Sequence, residues 1–204
     1  MRSSAATGYL LPSLKRRNLS LLRDARATRV LFDGRRALGV EYMRGGERRR
    51  IMARREVILS AGAIGSPHLL QLSGVGDPAL LSRHGIEVVH AAPGVGQNLQ
   101  DHVGYDLIYE ANVPTLNATL GPIWARGRAG LGYLMTRDGP LSLSVNQGGG
   151  FVRSDPGRTR PNLQLYFSPL SYTRAVPGKR RLTRPDSFPG FMLGISNCHP
   201  KSRG

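Results

Sequence analysis

The 204-residue chain is 40% hydrophobic and 21% charged, a globular composition with enough length for one large domain or two small ones. Its single cysteine, Cys198, excludes an internal disulfide and a CxxC-type metal site, and no run approaches the ~20 apolar residues of a membrane span. The net charge of +16 invites nucleic-acid binding, but the basic residues are spread along the chain without an RNP-like motif, Cys/His finger or clear helix-turn-helix, so no nucleic-acid partner is expected.

The first candidate element is "SSAATGYLL", residues 3–11, a short helix stopped before Pro12. No signal peptide is read in "MRSSAATGYLLPSLKRR", whose apolar core is short and ends in charge. The expected location is cytoplasmic, with membrane association left open. Three short strands are predicted next, "NLSLLRD", "ATRVLFD" and "ALGVEYM", with turns at Asp24 and at Asp33-Gly34. "ALGVEYMR" and "RRRIMARREVIL" predict a hairpin across Gly45-Gly46, its arginines on the solvated face.

Val57, Ile58 and Leu59 then read as a buried strand. Gly62 and Gly65 punctuate its exit. Ser66 stands as an N-cap with Pro67 at the first helical position. Leu69, Leu70 and Leu72 form the apolar side of a helix over 66–73, and Gly74 and Gly76 end it. Such a strand, turn and helix points several backbone N–H groups at one spot and can hold an anion or the edge of a nucleotide. An ordinary β-α corner is built from the same parts.

A second helix, "PALLSRHG", a strand, "IEVVHAA", and an ordered loop, "PGVGQNLQDH", are expected to follow. Residues 121–136 predict a helix weakened by three internal glycines. After Asp138-Gly139-Pro140 the texture changes: Gly148-Gly149-Gly150, "NLQLYFSPL" and "FPGFMLGISNC" predict strands of a different sheet. A soft boundary falls near residue 103. No G-x-G-x-x-G follows an opening strand, so a dinucleotide site here would lack its phosphate-binding half.

Residues 62–76, "GAIGSPHLLQLSGVG", resemble the second signature of the glucose–methanol–choline (GMC) oxidoreductases, and each fixed position of that signature is met. "NLSLLRDARATRVLFDGRRALGVEY", "PGVGQNLQDH" and "HPKSRG" are similar to segments around it. Choline-dehydrogenase-like members are nearest in texture. The resemblance implies an α+β or α/β fold. Residues 1–103 would be the C-terminal part of an FAD-binding, Rossmann-like domain, and residues 104–204 part of an antiparallel-sheet substrate domain.

The same resemblance implies an FAD-dependent oxidoreductase acting on CH–OH groups, with a small-molecule alcohol as substrate and an electron acceptor. It matches Ala27 to the strand position that faces the adenine. It matches Ser60, Ala61 and Gly62 to the turn beside the adenosine. The family's Gly-rich FAD motif and its C-terminal catalytic region have no counterpart, so the chain is expected to be an internal fragment. Among His68, His84, His90, His102 and His199 none matches the catalytic histidine, and no catalytic or metal-binding residue is assigned. Asp101 and His102 are expected to pair or cap, His84 and His90 to lie on the surface, and His199 to serve packing. A basic binding protein without chemistry is the alternative, told apart by the flanking coding sequence.

Overall fold

The computed structural model describes residues 4–172 and 185–204. The chain divides into two compact units, one running to Gln100 and taking in Ser202–Gly204, the other covering Asp101–Lys201.

The first unit opens with a π-helical turn, Ala6–Leu10, that continues into α1 (Leu11–Ser13). The helix therefore does not stop before Pro12, which sits in the first turn of α1, where a missing N–H costs nothing. "NLSLLRD" forms no strand; Leu19, Leu21 and Leu22 are all exposed. The sheet begins at β1 (Ala25–Asp33), followed by β2 (Arg36–Arg44) and β3 (Glu47–Met52), all antiparallel in the order β1-β2-β3. Gly45 and Gly46 join β2 to β3 with φ of +58° and +82°, the backbone that a tight hairpin turn demands.

β3 is exposed along its whole length, and its arginines blunt a free sheet edge. Arg48 and Arg50 approach the buried Glu41 at 3.7 and 3.6 Å. Thr28 Oγ1 donates to the Glu41 carbonyl at 3.1 Å. Arg49 pairs with Glu47 at 2.7 Å, and that carboxylate raises the guanidinium pKa above its usual value. Gly39 admits no side chain, because a Cβ there would lie 2.2 Å from the Ile51 carbonyl oxygen.

The apolar run at Val57–Leu59 is unpaired, and Ile58 is 75% exposed. The expected buried strand is therefore not formed: an apolar run becomes a strand only beside another strand, and none is offered to it among the described residues. α2 spans Gly62–Leu72 and starts four residues before the expected N-cap. β4 (Val75–Gly76), α3 (Pro78–Arg83) and β5 (His90–Ala91) follow, with β4 and β5 parallel. Asp77 caps α3 by accepting from the Ala79 N–H at 2.9 Å, and Leu81 is buried beneath it. The strand expected over "IEVVHAA" shrinks to its two paired residues. The segment closes on a reciprocal pair, Leu99 N–H to the Gly204 carbonyl and Gly204 N–H to the Leu99 carbonyl, each 2.9 Å.

The second unit contains β6 (Val103–Glu110), α4 (Leu116–Leu120), α5 (Ile123–Thr136), β7 (Gly148–Val152), β8 (Leu163–Ser168) and β9 (Gly190–Asn197). The strands form one antiparallel sheet in the order β6-β9-β8-β7. Three of these strands and α5 match the expectation; β6 and α4 were not foreseen. On β9, Gly190, Met192, Gly194 and Ser196 are buried, and the residues between them are half-buried. Asn117 on α4 ties this unit together. Its amide nitrogen donates to Ser171 Oγ and to the Phe188 carbonyl, both at 2.9 Å, and its Oδ1 accepts from the Ser171 N–H at 2.9 Å.

Candidate functional site

The corner before α2 holds three of the four residues singled out by sequence. Gly62 opens the helix with φ +80°, a region that residues with a side chain resist. A Cβ built on Gly62 would meet nothing within 4 Å. Ser60, Ala61 and Ala63 are small and exposed beside it. The helix has no side-chain cap on its N-cap residue and no acid in its first turn. Ser66 is not the N-cap. It lies within the helix, and its Oγ accepts from the Ala61 N–H at 3.0 Å, so the hydroxyl fixes the bend from inside.

A flat cofactor resting on backbone needs short side chains and room. This corner offers both, so its residues fit the adenosine part of FAD. Ala27, the fourth residue, is exposed on β1 opposite Tyr42, beside the register shift between Ala27 and Arg29. No hydrogen bond or ion pair links Ala27 to residues 60–62. The two places are connected through the docking of α2 on β1.

That docking depends on the far end of the signature. β1 is an edge strand, and the Val30 N–H donates to Ser73 Oγ at 2.8 Å within the buried core. Ser73 Oγ in turn donates to the Leu69 carbonyl. Gly74 has φ +86°, and a Cβ there would lie 2.4 Å from the Glu87 carbonyl oxygen. The Gly74 carbonyl accepts from Val89 at 2.8 Å and from His90 at 3.1 Å. The Gly76 carbonyl accepts from Ala92 at 2.8 Å. Gln71 Nε2 donates to the Val95 carbonyl at 3.1 Å. The Ser-Gly-Val-Gly half of the signature is therefore a joint that clamps helix, edge strand and following loop. Sequence reading assigned its glycines to helix termination and missed Ser73, whose signal was a hydroxyl at the end of an apolar helix with no solvent role.

The histidines carry no catalytic grouping. His68, His84, His90, His102 and His199 are all exposed, so His199 does not serve packing; its neighbour Pro200 is the buried residue. Asp101 Oδ1 accepts from the His102 backbone N–H at 2.8 Å, a local cap. Arg35 Nη2 lies 2.9 Å from His90 Nδ1. Among the described residues no cluster of His, Cys, Asp or Glu could hold a metal ion.

The second unit carries a cavity of about 240 Å³ lined by Asp106, Asn146, Tyr166, Ser168, Tyr172 and Met192 with Gly194. Gly194 keeps it open: a Cβ there would lie 2.9 Å from Asp106 Oδ1 and 3.2 Å from the Tyr166 ring.

Solved structures of oxidoreductases share this α+β arrangement. An FAD-dependent oxidoreductase from Chaetomium thermophilum superposes with a TM-score of 0.81 at 21% identity, over 100% of this chain and 40% of its own. An Aspergillus oryzae RIB40 formate oxidase variant superposes with a TM-score of 0.78 at 24% identity, over 93% and 37%. These likenesses concern the fold. The family model described as GMC oxidoreductase matches residues 1–104, and the chain belongs to the GMC oxidoreductase family. An uncharacterised GMC-type oxidoreductase of Mycobacterium tuberculosis is 42% identical over 204 residues. An alcohol dehydrogenase [acceptor] of Pseudomonas putida is 41% identical over 206 residues. An oxygen-dependent choline dehydrogenase of Burkholderia cenocepacia is 43% identical over 203 residues. Each match covers 100% of this chain but only 35–36% of the relative, so the chain spans about a third of those proteins.

Proposed function

We propose that this segment works within a longer FAD-dependent oxidoreductase that oxidises the CH–OH group of a small alcohol, in the manner of the alcohol and choline dehydrogenases it is similar to. The observation that carries the reading is the corner at residues 60–62, built on a signature met at every fixed position, with a helix that opens on a left-handed glycine facing free space. Residues 1–103 supply the later part of the FAD-binding domain, and residues 104–204 supply part of the substrate domain.

When bound, FAD supplies the redox chemistry by taking up the hydride from the alcohol carbon. This chain's residues position rather than react. Ala27, Ser60, Ala61 and Gly62 offer backbone and short side chains to the adenosine part. Ser73 and Gly74 hold α2 so that the corner keeps its direction. The cavity beside Asp106 and Tyr166 offers carboxylate, phenol and hydroxyl groups to a small polar substrate. The general base for the hydroxyl proton is assigned to a residue outside this chain, and an electron acceptor re-oxidises the enzyme. A cytoplasmic setting belongs to the same reading, since a chain with one cysteine builds nothing on disulfides.

The test is the absorption spectrum of the purified full-length protein. It should carry flavin, and choline or a primary alcohol added without oxygen should bleach the flavin band. A colourless, folded protein would overturn the reading.

A further inference from the structure

The exit of β8 is tied down by polar groups buried within this chain. Asn117 and Ser171 are 4% and 0% exposed. The Asn117 amide grips Ser171 twice, donating from Nδ2 to Oγ and accepting from the N–H at Oδ1. The Ser171 carbonyl accepts from the Asp186 N–H at 3.1 Å, and Tyr172 forms an antiparallel bridge with Pro185. Gly190 closes the knot, because a Cβ there would collide with Ser171 Oγ. All of these contacts lie inside the chain, so they hold whatever else the longer protein packs against this unit. Tyr172 is thereby set between two hollows. It lines the polar cavity of about 240 Å³ with Asp106, Tyr166 and Ser168. It also lines a hollow of about 380 Å³ whose walls include Leu120, Leu141, Val145 and Leu170. No other described residue lines both.

Resting on the reading of the polar cavity as the seat of the alcohol, we infer that Tyr172 is a specificity-determining residue. Its side chain divides the polar cavity from the apolar hollow and so limits the length of alcohol accepted. Asn117, acting through Ser171, is the positioning residue that keeps the divide in place. The hydroxyl of an alcohol belongs among the carboxylate, phenol and hydroxyl groups of the first hollow, whereas an alkyl tail gains by leaving water for the leucines and valine of the second. A bulky ring between the two makes a short alcohol the fitting one. The hold on that ring is firm, because a buried amide cannot shift without leaving a hydrogen bond unmade.

The test compares the full-length protein with its variants on choline and on linear primary alcohols from ethanol to octanol, with flavin content and thermal midpoint read alongside. Tyr172→Ala should join the two hollows and raise the octanol-to-butanol ratio of kcat/KM about ten-fold, the worth of burying roughly two more methylenes. Ser171→Ala, gentler than Asn117→Ala, should move that ratio the same way by about three-fold, the worth of one hydrogen bond. In the Tyr172→Ala background it should add nothing. A purely structural role for Asn117 and Ser171 would lower the midpoint and leave the ratio where it was, and that result overturns the positioning. Gly194→Ala separates the inference from the reading beneath it. Its Cβ would intrude on the polar cavity 2.9 Å from Asp106 Oδ1, and kcat/KM should fall for every alcohol without loss of flavin. If Gly194→Ala does so while Tyr172→Ala leaves the ratio unchanged, the inference is overturned and the reading stands. If neither variant changes turnover, or the parent oxidises none of the series, the reading falls and the inference with it.

Discussion

Ser73 closes the open edge of β1 by accepting the buried N–H of Val30. Removing the hydroxyl leaves that donor without a partner, and an unsatisfied buried donor costs about 1–3 kcal/mol. Ser73→Ala should lower the unfolding free energy of the full-length protein by that amount, read as a lower urea midpoint, with a smaller effect on bound flavin. Gly62→Val should do the reverse. Valine resists the +80° backbone and projects into the space assigned to the cofactor, with strain of about 1–3 kcal/mol. Its FAD dissociation constant should rise more than its apo-protein stability falls. The control is Leu69→Ala, because Leu69 is buried on the same helix whereas Leu72 is 40% exposed. Leu69→Ala should cost about 2–5 kcal/mol of stability and change cofactor affinity less. A Gly62→Val protein that binds FAD like the parent removes Gly62 from the site.

Among the elements, those written in turn chemistry were legible. Gly45-Gly46 marked the hairpin turn and "PALLSRHG" the helix α3, and both formed, α3 over Pro78–Arg83. Elements defined by an apolar run alone were misread. "NLSLLRD" and Val57–Leu59 have the composition of strands, but pairing is a property of two segments and is invisible in one. The start of α2 was misplaced because Ser66-Pro67 imitates an N-cap, while the helix begins on a left-handed glycine that needs none. Within α5 the glycines weaken a helix that still forms. Gly130 has nothing within 4 Å of a built Cβ, so Gly130→Ala should stabilise the protein by about 0.5–1 kcal/mol, read as a higher thermal midpoint.

In the whole molecule, the candidate site was half legible: the signature pointed to the corner, whereas the cavity beside Asp106 arises from registers between distant strands. Among the described residues the buried apolar side chains are few, Val30, Leu69, Leu81, Ala125 and Met192, while Ile58, Ile64, Tyr105 and Trp124 stand in solvent. Expressed alone, the 204-residue chain should therefore be poorly soluble and free of flavin; a yellow, monodisperse preparation would contradict this. The reciprocal bonds between Leu99 and Gly204 have a further consequence. They set the outgoing and returning passages of the polypeptide side by side, so everything from Asp101 to Lys201 is a guest threaded into its host through one doorway. Guests whose ends meet are exchangeable. A chimaera carrying the corresponding cassette of a 41%-identical relative should fold and keep its flavin while adopting the donor's choice of alcohol, as substrate profiles of the two parents and the chimaera would reveal.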